Sequence, residues 1–274
     1  MSTNREIQLR VSVITPTYNH ATFIRDTIES VIGQTYPLIE YIIVDNLSDD
    51  GTDAIVEEYQ SEYELIYIRE GDRGQADAIN KGLDAAQGEL VCWLNSDDFY
   101  CNSDVVADAV SFFLADPDLK LLIGNGYYCD IDKNMLGAFP FQSRRLTKAQ
   151  LDYMNPILQP STFWRRNDLR MNAMLHYSFD WMFFREMFQR NCKYQYTSRD
   201  FSVYRMYGTN KSGSDNATRR LELYQNLRHN LGVADLRSVW YFAMYVMYLL
   251  DERMGLGFFG RMAHRANAFL RRFL

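Results

Sequence analysis

Two adjacent carboxylates, Asp97 and Asp98, close the run Asn95-Ser96-Asp97-Asp98 directly after the apolar stretch Leu90-Val-Cys-Trp-Leu94. Two unpaired negative charges side by side at the end of a buried strand repel each other. A hard divalent cation removes that cost. Mg2+ or Mn2+ takes one or two carboxylates and fills its remaining positions with water and phosphate oxygens. The chemistry open to such a pair is to clamp a diphosphate and neutralise it as it departs. The alternative is an Asx turn or a helix cap. Two further polar clusters follow apolar runs in the same way: Thr15-Pro-Thr-Tyr-Asn19, and Asp45-Asn46 with Ser48-Asp-Asp-Gly51.

The runs before these clusters read as strands. Val11 to Thr15, Tyr41 to Val44, Leu65 to Ile68 and Leu90 to Leu94 are short, apolar and rich in β-branched residues, as expected in a parallel sheet covered on both faces. Between them, the apolar spacing of 23–32, 54–63 and 74–88 predicts helices. Four strand–helix units in about ninety residues make a βαβ nucleotide-binding half. In such sheets ligands bind beyond the carboxyl ends of the strands, where all three polar clusters lie. Further on, 105–114 and 181–190 read as helices, 121–131 holds one or two strands, and 139–160 is an irregular connection carrying Pro140, Pro156 and Pro160.

Composition bounds the possibilities. The 274 residues are 47% hydrophobic and 23% charged, ordinary for a soluble globular protein and enough for a sizeable core. The net charge of −6 argues against a nucleic-acid partner. From Arg219 onward, however, nine Arg and no Lys face four acids, so a tail of +5 follows a body of −11. Cys92, Cys101, Cys129 and Cys192 form no C-x-x-C pair, and His20, His176, His229 and His264 show no metal spacing. Neither a disulfide framework nor a zinc site is expected. Met1 to Arg10 lacks an apolar signal core, and the longest uncharged apolar run, Val239 to Leu250, has twelve residues, too few to span a bilayer as a helix. The expected location is cytoplasmic.

The segments Val11-Ser-Val-Ile-Thr-Pro-Thr-Tyr-Asn19, Ile43-Val-Asp-Asn46 with Ser48-Asp-Asp-Gly-Thr52, Gly74-Gln-Ala-Asp-Ala-Ile-Asn-Lys-Gly82 and Gly88 to Asp98 resemble the catalytic domain of family 2 glycosyltransferases. The resemblance runs over about residues 10–215 and implies an α/β GT-A fold: a Rossmann-like mixed sheet flanked by helices that binds a nucleotide sugar. With it come two expected units. Residues 1–218 form the catalytic domain, with a nucleotide half at about 10–100 and an acceptor half at 101–218; residues 219–274 form a helical extension.

The resemblance also implies roles. Thr15, Pro16 and Tyr18 would lie along base and ribose, and Asp45 would accept a hydrogen bond from the base, most naturally uracil. Arg73 and Gln75 would face the diphosphate or sugar from a helix start. Asp97 would touch ribose or metal and Asp98 the metal, although Asn95-Ser-Asp-Asp98 departs from a literal D-x-D. Ser178-Phe-Asp-Trp181 resembles the acidic motif opening the acceptor-site helix, which makes Asp180 the candidate base or, structurally, a helix N-cap. Gln159, Trp164 and Trp181 would line the sugar or acceptor pocket, with Trp164 equally suited to the core. Arg205 and Lys211 fall in a diphosphate-contacting loop, where Tyr207 stands in place of the family's His.

The implied activity is inverting, non-processive transfer of one sugar from a nucleotide diphosphate sugar, with UDP favoured, assisted by Mg2+ or Mn2+. The acceptor would be a hydroxyl of a glycan or polyprenyl-diphosphate-linked chain in bacterial O-antigen, capsule or exopolysaccharide assembly. Two alternatives are a sugar nucleotidyltransferase, whose Gly-rich phosphate loop is missing from Val11 to His20, and a degenerate nucleotide-sugar-binding subunit. In the tail, Arg253, Arg261, Arg265, Arg271 and Arg272 interleave with Phe258, Phe259, Phe269 and Phe273. That pattern fits a helix lying on anionic lipid at the inner face of the membrane through 239–274, or a helical subdomain packed on the catalytic domain.

Overall fold

The computed structural model describes residues 8–140, 147–152, 154–208, 210–211, 217–231, 239–240, 242–243 and 246. Strand β1 (Val11–Thr17) is followed by α1 (Ile24–Ile32), β2 (Ile39–Asp45), α2 (Thr52–Gln60), β3 (Leu65–Arg69), α3 (Gln75–Ala85) and β4 (Leu90–Trp93). β1 pairs in parallel with both β2 and β4, and β3 lies parallel outside β2. This is the expected nucleotide half. Its inner strands are completely buried, as in a parallel sheet covered on both faces, and the polar Ser12 and Thr15 of β1 hydrogen-bond to Glu40 and Tyr41 inside the protein. At Gly82 on α3, an added Cβ would collide with the Ile14 side chain, so glycine is what lets this helix sit close to β1.

The second half adds β5 (Phe99–Tyr100), α4 (Val105–Ala115), β6 (Leu121–Cys129), β7 (Met135–Ala138), the short α5 (Lys148–Leu151), β8 (Thr162–Arg165), α6 (Phe179–Gln189), β9 (Tyr194–Arg205) and α7 (Ala217–Leu231). Among the described residues the nine strands form one mixed sheet in the order β3-β2-β1-β4-β8-β6-β9-β5, with β7 on β6. β8 runs antiparallel to β4 and β6 and joins the two halves. The sequence reading lacks β8 and β9. β8 is only four residues long and follows a 3-10 turn, Gln159–Ser161, that contains Pro160, and the alternation in β9 is interrupted by Ser198, Arg199 and Asp200. At the β6–β9 contact, a Cβ on Gly124 would meet the Phe201 ring.

The core is aromatic. Trp93 stacks on Phe184 at 5.9 Å and meets Trp164 edge-on at 5.5 Å, while Trp164 reaches Phe183 at 5.4 Å. α6 thereby packs on the junction of β4 and β8. The unit boundary expected near residue 218 falls within the first turn of α7, and Leu227 on that helix joins the core. Most of the tail, including Arg253, Arg261, Arg265, Arg271 and Arg272, lies outside the described residues. Where it is described, the Phe242 ring lies 5.0 Å from Tyr224 of α7, and Val239 and Phe242 are exposed.

Candidate active site

Polar residues gather at the carboxyl ends of β1, β2 and β4. The turn after β4 places Asp98 in a buried position: its Oδ1 accepts from the Arg205 backbone N–H at 3.1 Å and its Oδ2 from Asn95 Nδ2 at 3.0 Å. Burial, reinforced by the neighbouring charge of Asp97, raises the Asp98 carboxyl well above the usual carboxylate range. Asp97 is half-buried and accepts from the Tyr207 hydroxyl at 2.8 Å, while the Tyr207 ring packs on Phe23 at 4.7 Å. Tyr207 therefore meets the carboxylate pair where the family pattern has His, and it steers Asp97 instead of adding a nitrogen ligand.

The carboxylate pair suits a divalent cation. Both are hard oxygen donors on consecutive residues, and a cation would offset both the burial and the Asp97 charge that raise Asp98. Among the described residues no third His, Cys, Asp or Glu joins them, so other positions around a cation would fall to diphosphate oxygens and water.

A chain of amides links this pair to the rest of the pocket. Asn95 Oδ1 accepts from Gln75 Nε2 at 2.8 Å, Asn95 Nδ2 also donates to Gln159 Oε1 at 3.2 Å, and Gln159 Nε2 is anchored on the Trp93 carbonyl at 2.7 Å. Lys211 Nζ approaches Gln75 Oε1 at 3.4 Å and lies 5.4 Å from the centre of the Phe179 ring. Phe179 is the residue before Asp180. The contacts Asp98–Asn95–Gln75–Lys211–Phe179 thus lead from the carboxylate pair to the start of α6.

Asp180 is not the N-cap. Ser178 holds that position, and Asp180 is the second residue of α6. Its Oδ1 accepts from the Trp181 N–H at 2.7 Å and its Oδ2 from Asn155 Nδ2 at 2.9 Å. Desolvation outweighs these hydrogen bonds and the nearby Arg219, pushing the carboxyl up to about 6. That is the range a general base working near neutral pH requires.

Several expected roles change with the structure. Thr15 is fully buried and shares a 3.2 Å hydrogen bond with the Tyr41 hydroxyl, and Pro16 is buried beside it; these two shape the strand, and Tyr18, 55% exposed, is the residue left at its mouth. Trp164 and Trp181 are core residues, 1% and 4% exposed, with Trp181 Nε1 donating to the Leu151 carbonyl. They support the pocket from behind, because the edge of an indole packed among aromatic rings offers nothing to a sugar. Arg205 is also turned away. Its guanidinium pairs with Asp26 at 2.7 Å and lies over the Phe23 and Phe99 rings, so its backbone N–H touches Asp98 while its charge acts on that carboxyl only as a lesser influence. Arg73 sits at the surface in an i,i+4 pair with Asp77.

Asp45 is buried with its oxygens already engaged. It accepts from the Ser48 N–H and hydroxyl and from the Tyr67 hydroxyl at 2.8 Å, and it forms an ion pair with Arg69, whose Nε lies 3.5 Å away. The carboxylate organises the turn after β2 and presents Tyr67 and Arg69 next to that turn. Asn155, Tyr67, Arg69 and Glu222 carry no motif and were not legible from spacing; each reaches the site from an element distant in sequence.

The fold matches solved glycosyltransferases of the GT-A type. Staphylococcus aureus TarS 1–349 in complex with UDP superposes with a TM-score of 0.62 at 20% identity, over 91% of this chain and 74% of that one. The mannosyltransferase PcManGT from Pyrobaculum calidifontis, in complex with GDP-Man and Mn2+, gives 0.63 at 18% identity over 96% and 81%. The family model for Glycosyl transferase family 2 matches residues 12–211, and the chain belongs to that family. Among curated relatives, the putative teichuronic acid biosynthesis glycosyltransferase TuaG of Bacillus subtilis is 48% identical over 90 residues, 32% of this chain and 36% of TuaG. An uncharacterised glycosyltransferase of Haemophilus influenzae is 30% identical over 155 residues, 56% of this chain and 58% of its own length. The chain thus spans well under two thirds of either relative.

Proposed function

We propose that the protein is an inverting glycosyltransferase that moves one sugar from a UDP-sugar to a hydroxyl of a bacterial glycan or lipid-linked acceptor. The observation that carries this reading is the convergence of two unlike carboxylate sites. The Asp97–Asp98 pair, half-buried and buried respectively, stands at the strand ends, and a desolvated Asp180 opens α6, joined to the pair through Asn95, Gln75 and Lys211. The complexes of TarS with UDP and UDP-GlcNAc and of PcManGT with GDP-Man and Mn2+ support a nucleotide-sugar donor, and the UDP reading follows TarS and not Asp45, whose oxygens are engaged within the protein.

In the reaction, Asp180 removes the acceptor hydroxyl proton as the acceptor oxygen attacks the anomeric carbon. The new C–O bond forms on the face opposite the nucleotide, and the bond to the diphosphate oxygen breaks with its electron pair leaving on the diphosphate, so the anomeric configuration inverts. Lys211 is the side chain placed to meet the departing charge. Asp97 and Asp98 would hold Mg2+ or Mn2+, which when bound supplies charge neutralisation to the diphosphate. Asn95 and Tyr207 orient those two carboxylates, and Gln159 fixes Asn95.

A thermal-melt screen tests donor and cation together. UDP with Mn2+ is expected to raise the melting temperature by several degrees, since ligand at about 100 times its Kd adds about 2.7 kcal/mol. UDP alone should do much less, and GDP with Mn2+ should do less than UDP with Mn2+. Equal stabilisation with and without Mn2+ would remove the cation from the reading, and equal effects of GDP and UDP would remove the base preference.

The catalytic unit at 1–218 and the extension at 219–274 belong to the same proposal. The extension would bring the protein to the inner face of a membrane carrying a polyprenyl-diphosphate-linked acceptor, through its interleaved Arg and Phe residues. Among the described residues no helix is long and apolar enough to cross a membrane. Vesicle sedimentation should show binding to phosphatidylglycerol-rich vesicles, lost with phosphatidylcholine alone or in high salt; no preference for anionic vesicles would end this part of the reading.

A further inference from the structure

We propose that Glu222, on α7, is the positioning residue that fixes and tunes Asp180; this rests on the reading of Asp180 as the base. Glu222 is 6% exposed, and a carboxylate buried to that degree must find its partners inside the protein. Four donors reach it from one tripeptide. Its Oε2 accepts from the His176 N–H at 2.7 Å, and its Oε1 accepts from the Tyr177 N–H at 2.9 Å, the Ser178 N–H at 2.6 Å and the Ser178 hydroxyl at 2.5 Å. Asn226, one helical turn further along α7, donates to the same Ser178 hydroxyl at 2.5 Å.

These amides lead directly into α6. Ser178 stands at the cap position, yet its hydroxyl does not cap the helix; it is committed to α7. The start of α6 is therefore held from outside, by three consecutive N–H groups closing on one carboxylate, a concave arrangement that favours an anion. Asp180 lies two residues on. Its own hydrogen bonds, to Trp181 N–H and Asn155, leave its direction dependent on where that first turn sits. Displacement of a reacting group by about 1 Å can cost on the order of 100-fold in rate, so the anchor of the turn matters to the base.

Charge matters as well as position. The charged groups acting on Asp180 are Arg219 from α7 and Lys211 from the loop after β9, and Lys211 is itself faced by Glu222 of α7 and by Asp72 from the loop before α3. Asn155 is neutral, and the N-terminal end of α6 is itself partly positive. Lys211, Arg219 and the helix end all favour ionised Asp180. Glu222 is the anion that opposes them through the amides it binds, which keeps the base basic. Removing its charge should lower the Asp180 midpoint.

The experiment uses the full chain with the variants Glu222→Gln, Ser178→Ala and Asp180→Asn. The Asp180 carboxyl is followed by carbon NMR of chains labelled at aspartate Cγ, its signal assigned by its loss in Asp180→Asn. Glu222→Gln is expected to shift the Asp180 midpoint down from about 6 by about one unit. Turnover per UDP-competent site, counted by calorimetry with UDP and Mn2+, should fall at least ten-fold with UDP affinity unchanged. A midpoint that stays or rises overturns the proposal, because a purely structural residue would not move it in this direction. Ser178→Ala keeps Glu222 and all three amides, so it serves if Glu222→Gln does not fold; it should lower turnover about three- to ten-fold at constant UDP affinity, and full turnover would count against Glu222. If Asp180→Asn retains transfer, the base assignment fails by itself. If Asp180→Asn is inactive while Glu222→Gln is fully active, the fault lies with Glu222.

Discussion

Replacing Asp98 with alanine should reduce sugar transfer by two to three orders of magnitude and abolish its response to added Mn2+. The loss of one preorganised electrostatic element at a departing charge has about this effect. Asp98 is the more demanding member of the pair because it is buried, whereas Asp97 is half-buried and held by Tyr207. Alanine would also leave the Arg205 N–H and Asn95 Nδ2 without their acceptor, at a cost of about 1–3 kcal/mol for each buried donor. Asp98→Asn is the sharper variant, since its carbonyl oxygen keeps one of those bonds while the charge is gone. Turnover of a UDP-sugar against Mn2+ concentration reads the result. Undiminished turnover in Asp98→Asn with the wild-type Mn2+ dependence would show that the cation is held elsewhere.

The second large effect is at Asp180. Asp180→Asn should lower the transfer rate about 1,000-fold or more at pH 7.5, while UDP still binds in the presence of Mn2+, because the side chain stands at α6, away from the nucleotide turns. General-base catalysis alone contributes about 100- to 10,000-fold. The pH profile carries the same information. A base must be ionised, and burial pushes this carboxyl up to about 6, so wild-type activity should be full above pH 7 and fall as the pH drops through 6. Stability has the opposite sign. A carboxyl raised from 3.8 to about 6 binds its proton more tightly in the folded chain, so its favourable contribution is complete below 3.8 and lost as the pH rises through 6. Asp180→Asn removes a desolvated charge and should not lower the melting temperature at pH 7.5. An inactive variant that melts normally and binds UDP identifies the base; one that loses UDP binding makes Asp180 a structural element of α6.

The nucleotide half was legible because its signals are local. Fully apolar strands such as Tyr41 to Val44, a period change into each helix and a polar cluster at each strand end are contained in windows of ten residues. For the same reason Asp97 and Asp98 could be singled out, while Asp180 came from the resemblance of Ser178-Phe-Asp-Trp181 to the family's acidic motif. The second half was less legible. β8 is four residues long, β9 pairs in parallel with β6 across an interrupted register, and neither pairing has a signature in its own segment.

The amino-acid sequence by itself determined the family, the α/β order of the first hundred residues, and which carboxylates stand at strand and helix ends, since backbone preference and burial pattern are properties of short segments. Tertiary structure decided what those groups touch. It placed Trp164 and Trp181 in the core, turned the Arg205 charge onto Asp26, closed the Asp45 oxygens on Ser48 and Tyr67, and set Glu222 of α7 against the start of α6. A side chain's direction and partners depend on segments tens to more than a hundred residues away. Spacing along the chain shows that a charge is available, and only packing shows where its hydrogen bonds go.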